Sequence, residues 1–264
     1  MEQLLWYIPI GIGIGTLGTL IGVGGGFILV PLLILTRPDW SAEQITAVSM
    51  AIVAGNSISG SAAYLRDRKV DLQAGWRFAL WTLPGSVIGV YLTQFVPRQG
   101  FDLVFGLFIL CMALYLFQRA QKRAKSVIQT DATLESSSVQ PGMYRKGQWI
   151  SLAVGFFSPI LGIGGGIIHV PAMIELLKFP VHRATATSSF ILAIMATTTV
   201  LIHLFRGRYN DPSIWSLILC LLIGVFIGAQ LGAALSKRLS GQTVVKVLAA
   251  VMLLVGIRII FGTF

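Results

Sequence analysis

Charged residues are scarce in this chain. Only 11% of its 264 residues are charged and 55% are hydrophobic, and the mean hydropathy is +0.80. Soluble domains carry about 25% charged residues, so the composition excludes an ordinary soluble protein. We expect an all-α integral membrane protein embedded in a lipid bilayer.

Cysteine and histidine are almost absent. Two Cys and three His cannot form a disulfide scaffold and show no metal-ligand spacing, so we predict no metal and no other cofactor. A Walker loop is also missing, which argues against ATP hydrolysis. The one candidate acid–base pair, His169 and Glu175, is six positions apart and does not share a helix face. We therefore predict that the chain is not an enzyme.

Acidic residues are half as numerous as basic ones, 10 against 20. The basic residues fall between apolar runs rather than along one face, so we expect membrane topology to explain them and no nucleic-acid partner. The largest basic cluster lies in a polar, Ser-rich linker, residues 119–148. The positive-inside rule places this linker in the cytoplasm.

Six apolar runs are long enough to cross a bilayer. A helix rises about 1.5 Å per residue, so about 20 residues span the hydrocarbon. The predicted crossings are 45–65, 74–96, 101–117, 184–205, 214–235 and 244–260. Two further runs, 4–35 and 149–177, contain glycine clusters and prolines. Because each is about 30 residues long, a straight helix would overshoot the bilayer, and each run must tilt, break or fold back.

The sequence contains an internal repeat. Gly-Val-Gly-Gly-Gly at 22–26, followed by Pro31, recurs about 140 residues later as Gly-Ile-Gly-Gly-Gly at 162–166, followed by Pro171. Further matches at nearly the same spacing are Thr46-Ala47 with Thr185-Ala186, Ser49 with Ser188, Arg66 and Arg68 with Arg206 and Arg208, and Gly85 and Gly89 with Gly224 and Gly228. We predict a first transmembrane repeat over 1–118, the linker over 119–148 and a second transmembrane repeat over 149–264.

The path of the two glycine-rich runs decides the topology. If each crosses once, each repeat has about four segments, the repeats are parallel and both chain termini are cytoplasmic. If each folds into a hairpin, each repeat has five passes and the repeats are inverted. The hairpin version places Lys237 and Arg238 inside but Arg206 and Arg208 outside, so the charge rule does not decide. We expect eight principal segments, with the first and fifth broken at the glycine motifs.

The glycine motifs have the properties of an anion site. Backbone groups left unsatisfied in hydrocarbon are tolerated only where the break is buried or lines a wet cavity. Glycines let neighbouring amides point into one concavity, and a helix that starts after the break directs partial positive charge at it. Two such breaks near the midplane are typical of secondary transporters. The predicted substrate-binding residues of the motifs are Gly22, Gly24, Gly25, Gly26, Pro31, Gly162, Gly164, Gly165, Gly166 and Pro171.

Close helix packing is the alternative role for membrane glycines. It is the interpretation that we adopt for the pairs spaced four residues apart, which are Gly85/Gly89, Gly224/Gly228 and Gly228/Gly232.

Polar residues inside the predicted crossings complete the predicted binding shell. Ser49 and Ser188 occupy matched positions near the starts of two helices, and Asn56 and Thr198 lie deeper in the same helices. Interhelical hydrogen bonds, worth about 1 kcal/mol each, are the alternative role for such residues.

Two titratable residues are candidates for proton coupling. His169 lies inside the second motif, where the first has Leu29, and Glu175 lies further along the same segment. A titratable group beside an anion site can carry a coupled proton. The alternatives are a hydrogen-bonded interior His and an ion pair of Glu175 with Lys178.

Two copies of Gly-[Val/Ile]-Gly-Gly-Gly-x-x-x-Val-Pro in a chain of this size resemble the TauE/SafE family of membrane permeases. The resemblance covers essentially the whole chain. It implies a bacterial inner-membrane permease for a small anion, with sulfite, sulfoacetate and related organosulfonates as substrates that are usually exported. It also implies a functional role for the glycines and prolines of the two motifs.

The residues and the resemblance together predict a secondary transporter that exports its anion by alternating access, coupled to proton entry or driven by the membrane potential. An anion channel and an accessory membrane subunit without transport activity are the alternatives. The sequence leaves open the coupling ion, the transport direction and whether the chain forms a homo-oligomer.

Overall fold

The structure is a computed structural model that describes residues 6–126, 141–239, 250 and 253–254. Within these residues it is all-helical, as the composition predicts. The helices are α1 Tyr7–Ile21, α2 Gly26–Thr36, α3 Ala42–Arg66, α4 Leu72–Thr93, α5 Arg98–Ser126, α6 Pro141–Leu161, α7 Gly166–Glu175, α8 Val181–Phe205 and α9 Pro212–Ser236.

Five of the six predicted crossings coincide with single helices, which are α3, α4, α5, α8 and α9. The sixth, 244–260, lies outside the described residues except at 250 and 253–254, and the linker lies outside them over 127–140. The helices α3, α8 and α9 and the stretch Arg98–Tyr115 of α5 are long and apolar enough to cross a membrane. α4 has 22 residues, but Arg77 and several Trp, Pro and Gly residues lower its hydropathy. The chain is a multi-pass membrane protein.

Polar caps fix where three of the long helices begin. α3 begins with a capping box, in which the Ser41 hydroxyl accepts from the Gln44 amide and the Gln44 side chain accepts from the Ser41 amide. Asp71 accepts from the first turn of α4, and Asp211 does the same for α9. α8 begins after Pro180, with no side-chain cap and no acidic residue in its first turn. Its N-terminal charge is therefore uncompensated by its own sequence.

Both glycine-rich runs are broken helices, as expected. Between α1 and α2, Gly22, Gly24 and Gly25 have φ values of 77°, 82° and 83°. Between α6 and α7, the equivalent glycines, Gly162, Gly164 and Gly165, have φ values of 68°, 77° and 76°. This left-handed backbone is strained for any residue with a Cβ, so the glycine triplets are what allow the chain to turn here.

The helix connections gather at two ends of the molecule. At one, named here the Glu43 end, Arg206 forms an ion pair with Glu43, and Arg98 at the start of α5 donates to the carbonyl oxygen of Ile34 near the end of α2. The other, the Asp71 end, holds the α3–α4 and α7–α8 connections and the last residues of α9. There Arg183 pairs with Asp71 at 3.0 Å, and Lys237 pairs with Asp67 at 2.9 Å.

Each broken helix folds back towards the end from which it came. α1 packs parallel to α9, with its residues 11 and 16 beside residues 224 and 232, so it runs towards the Asp71 end, whereas α2 returns to the Glu43 end. α6 packs parallel to α4 and runs towards the Glu43 end, whereas α7 returns to the Asp71 end. The described helices thus follow the hairpin alternative, and the two hairpins open to opposite ends. The division of the chain into two repeats stays a prediction.

Glycines make the seams in which α1 meets α9 and α4 meets α6. A Cβ on Gly224 or Gly228 would strike the backbone carbonyl of Ile8 or Ile12. A Cβ on Gly85 would strike the carbonyl of Leu152 in the same way. Their packing role is confirmed, and it fixes the position of each hairpin.

Candidate functional site

The two glycine breaks touch each other in the interior. A Cβ added to Gly26 would strike the carbonyl oxygen of Gly162, and one added to Gly166 would strike the carbonyl oxygen of Gly22. All residues of 22–26 and 162–166 are buried. The first residues of α2 and α7 therefore meet at one buried point, and the two helices lead away from it to opposite ends.

Two serines hydrogen-bond the breaks to the long helices α3 and α8. The Ser49 hydroxyl of α3 donates to the Gly162 carbonyl at 2.6 Å, and the Ser188 hydroxyl of α8 donates to the Gly22 carbonyl at 2.9 Å. Sequence reasoning placed both serines at the site, and the structure brings both there. Because each hydroxyl gives its single hydrogen to the backbone, neither can donate to an anion in this conformation.

The breaks present backbone amides without acceptors. In α2, the amides of Ile28 and Leu29 donate to the Gly25 carbonyl, but among the described residues Gly25, Gly26 and Phe27 have no acceptor for theirs. In α7, the amides of Ile168 and His169 donate to the Gly165 carbonyl, and those of the equivalent residues 165–167 have none. Neither helix has a side-chain cap. Two uncapped helix N-termini thus direct partial positive charge at one buried region.

Three buried hydroxyls beside the breaks also lack a hydrogen-bond partner among the described residues, and none of them was among the predicted substrate-binding residues. They are Ser57 in α3, Ser158 in α6 and Thr185 in α8, and each is at most 2% exposed. The Ser57 oxygen lies 3.2 Å from the place of a Cβ on Gly24, the Ser158 oxygen lies 3.2 Å from that of a Cβ on Gly165, and Thr185 packs on Gly22. A hydroxyl left unpaired in a dry interior costs about 1–3 kcal/mol, so these groups suit a polar ligand.

A signal for one of the three was present in the repeat. Ser158 stands 140 positions after Gly18 and four positions before the second motif, where the first half has only a glycine. Ser57 and Thr185 could not be separated by sequence from the many other hydroxyls of their helices.

Asn56 lies beside the first break, as predicted. The Thr19 hydroxyl donates to its side-chain oxygen at 2.9 Å, and the Tyr64 hydroxyl donates to the Thr19 carbonyl at 2.9 Å. The Asn56 nitrogen and the Gly25 amide nitrogen both lie within 2.6 Å of the place where a Cβ on Gly18 would stand. The bond from Thr19 therefore orients the Asn56 amide group, so that two donors lie together at the break.

The structure does not bring Thr198 to the breaks. Its hydroxyl donates to the Ile194 carbonyl of its own helix at 3.0 Å, and Thr197 and Thr199 bond their own helix in the same way. Thr198 is six positions beyond Leu192, which packs against Gly24, and this spacing is about 9 Å along the axis.

His169 is an interior, hydrogen-bonded residue. Its Nε2 lies 3.1 Å from the Ser151 oxygen, and the Ser151 hydroxyl donates to the Gly147 carbonyl at 2.7 Å. With the Ser151 hydroxyl directed at Gly147, the tautomer protonated at Nε2 is the one that can donate to Ser151, and Nδ1 is buried without a partner among the described residues. Glu175 is half-buried at the last position of α7, about 9 Å further along the helix, so the two proton-coupling candidates are not adjacent.

Pro31 and Pro171 lie inside α2 and α7 and are buried. Each is five positions past the last glycine of its motif. A proline there removes one helix hydrogen bond within the half-helix, which keeps the segment short and its direction distinct from that of the preceding helix.

An ion-pair cluster closes the Glu43 end. Glu43, whose side chain is 6% exposed, lies 2.7 Å from Arg206 and 3.0 Å from Arg208. The neighbouring Tyr209 donates to the Ala47 carbonyl at 2.9 Å, and burial raises the pKa of its phenol above the ordinary value. Sequence reasoning did not foresee this cluster, because Glu43 lies more than 160 positions before the two arginines. Its single carboxylate offsets one of the two positive charges of Arg206 and Arg208.

Comparisons with known proteins agree with this architecture. The sequence profile described as "Sulfite exporter TauE/SafE" matches residues 7–259. The chain is 31% identical over 269 residues to "Probable membrane transporter protein YunE" of Bacillus subtilis, with 96% of each protein covered. It is 27% identical over 187 residues to a "Probable membrane transporter protein" of Methanocaldococcus jannaschii, covering 69% of this chain and 65% of that protein. No solved structure matches. The chain is a membrane transporter and belongs to the sulfite exporter TauE/SafE family.

Proposed function

We propose that the protein is a secondary transporter that exports a small anion, sulfite or an organosulfonate, by alternating access. The observation that carries this proposal is the buried meeting point of α2 and α7. Their uncapped N-termini converge there, with free amides on both sides and the unpartnered hydroxyls of Ser57, Ser158 and Thr185 around them. Oxoanions are acceptor-rich and negatively charged, so they match the unpaired amides, the unpaired hydroxyls and the two helix N-termini of this site.

The site contains no fixed cation among the described residues that line it. Amides and hydroxyls hold an anion more weakly than buried arginines do, because partial charges replace full ones. Weak binding suits a carrier that must release its substrate on every cycle.

The two packing seams determine which helices would move together during alternating access. One hairpin, α1 and α2, is held to α9, and the other, α6 and α7, is held to α4. The breaks touch in this structure, so an anion needs them to separate. Relative movement of the two hairpin assemblies would break the Ser49 and Ser188 bonds and open the meeting point towards one end at a time.

We also propose that the Asp71 end faces the cytoplasm. The directions of the described helices bring the basic residues of the α3–α4 and α7–α8 connections and both described ends of the linker to this end, whereas at the other end Glu43 pairs with two arginines and offsets one of their charges. This distribution satisfies the positive-inside rule. Single cysteines replacing Lys146 or Ser213, in a variant without Cys111 and Cys220, test it: a membrane-impermeant maleimide added to intact cells should label Ser213→Cys alone.

Counterflow in liposomes tests transport. Purified protein with unlabelled sulfite inside should transiently accumulate labelled sulfite from outside, and sulfoacetate, sulfate and a neutral solute define the substrate class. Conductance without exchange would favour a channel. Failure to exchange any sulfur oxoanion or sulfonate would refute the proposed substrate.

A further inference from the structure

A cavity of about 440 Å³ opens at the Asp71 end, away from the glycine breaks. We name it the basic vestibule. It is lined by Arg68, Lys69, Val70, His182, Arg183, Ser236 and Lys237. None of these described lining residues is a carboxylate, and four of them are Arg or Lys, so the lining is predominantly basic.

Only some of these cations are neutralised by described carboxylates. Arg183 pairs with Asp71 and Lys237 with Asp67, whereas Arg68 and Lys69 have no ion pair to any described residue. The cavity therefore keeps a net positive potential, which attracts and concentrates anions.

The start of α8 adds to this potential. This helix begins without a cap and with His182 and Arg183 in its first turn, where acidic residues would ordinarily be stabilising. Thr46 and Thr185 are 139 positions apart, and at the same spacing Glu43 corresponds to His182. The carboxylate that closes the Glu43 end thus has no counterpart at the vestibule.

A chain of contacts runs from the vestibule to the breaks. Val70, in the vestibule wall, packs against the buried cluster that contains Tyr64, and the Tyr64 hydroxyl donates to the Thr19 carbonyl. Thr19 in turn bonds Asn56, whose nitrogen lies beside the Gly25 amide. Tyr64 is fully buried, so it closes the route in this conformation.

We propose that the basic vestibule is a second anion site, in which Arg68 and Lys69 bind the sulfonate or oxoanion substrate before it passes Tyr64 to the glycine breaks. This inference rests on the proposed function for the identity of the anion. It does not need transport to be observed, because occupancy of the vestibule can be measured directly.

Chemical protection measures that occupancy. Protein in a non-ionic detergent is acetylated with a small amine-reactive ester, in methanesulfonate or in chloride at equal ionic strength, and each lysine is read by peptide mass spectrometry. Acetylation of Lys69 should be at least threefold slower in methanesulfonate, whereas Lys146, outside the vestibule, should react equally in both. Equal rates at Lys69 would overturn the proposal.

The anionic headgroup of a lipid could also occupy the vestibule, and the same assay distinguishes it from a sulfonate. Protection of Lys69 that requires added phosphatidylglycerol and does not respond to methanesulfonate would show a lipid site and overturn the substrate site.

Transport kinetics provide a second test of the vestibule. The double variant Arg68→Gln/Lys69→Gln should raise the KM for anion presented at the Asp71 end by about fivefold or more, with the maximal rate within twofold. The control Arg145→Gln/Lys146→Gln removes the same charge near the start of α6, outside the vestibule, and should leave the KM unchanged. Equal KM shifts in both doubles would indicate general surface charge and refute a site. If the unaltered protein moves no anion, the proposed function fails, and the protection assay still decides the vestibule.

Discussion

Ser49 and Gly162 are 113 positions apart, yet the hydroxyl of one donates to the carbonyl oxygen of the other at 2.6 Å. Ser188 and Gly22 form the same contact in the opposite sense. Each break therefore accepts a hydrogen bond from a serine of a long helix, α3 or α8, that lies outside the glycine motifs. Both bonds hold a buried carbonyl of a break against a neighbouring long helix.

Ser49→Ala and Ser188→Ala should each destabilise the protein by about 1–3 kcal/mol, because each leaves a buried carbonyl without its donor. Thermal unfolding in detergent should show a lower Tm for both. Ser216→Ala is the matched control, since this exposed hydroxyl bonds only its own helix at the Pro212 carbonyl. An unchanged Tm in both buried variants would mean that the bonds do not hold the breaks.

Gly25→Val and Gly165→Val should abolish transport while the protein still reaches the membrane. Both glycines have a left-handed φ, and a Cβ would press on Ile14 in one case and Val154 in the other. Gly13→Val is the control, because Gly13 has open space at its Cβ position and no left-handed φ. Counterflow checks the prediction, and transport at the normal rate in either motif variant would remove the breaks from the mechanism.

Ser57→Ala and Ser158→Ala should weaken transport without lowering stability. Each removes a buried hydroxyl that has no described partner, so unfolding should occur at the same or a higher temperature, whereas the KM should rise several-fold if the hydroxyl donates to substrate. Ser189→Ala is the control, since its hydroxyl bonds the Thr185 carbonyl of its own helix. A loss of stability with an unchanged KM would assign both serines a structural role.

Glu43→Gln should destabilise the protein by about 3 kcal/mol, because two arginines lose their shared buried carboxylate. The double variant Glu43→Gln/Arg206→Gln should lose less than the sum of the two single losses. A double-mutant cycle in thermal unfolding measures this coupling. Additive losses would show that the two residues of the 2.7 Å pair are not energetically coupled.

The long helices and the two breaks were predictable because hydrophobic length and glycine triplets are local signals. Ser49 and Ser188 were placed at the site because they occupy matched positions in the two repeats, and Asn56 because it lies deeper in the same helix as Ser49. Thr198 was placed there by depth alone, and the structure shows its hydroxyl bound to its own helix. The partner of each hydroxyl depends on which helices meet, and that is a long-range property of the fold.

The positive-inside rule did not predict the hairpin path, because it counts Arg206 and Arg208 as unpaired charges. Both are bound to Glu43, a residue 163 and 165 positions earlier. A count of charges along the sequence does not include this long-range ion pairing.

The seam between α1 and α9 has a consequence for biosynthesis. Gly11 and Gly15 of α1 pack against a helix that the ribosome completes about 200 residues later, which is about 10 to 40 seconds at ordinary elongation rates. Until then the first hairpin lacks its partner surface. A nascent chain that stops in the linker contains neither α9 nor α6, so neither seam can close, and assembly of the first hairpin is one of the last steps in maturation rather than the first.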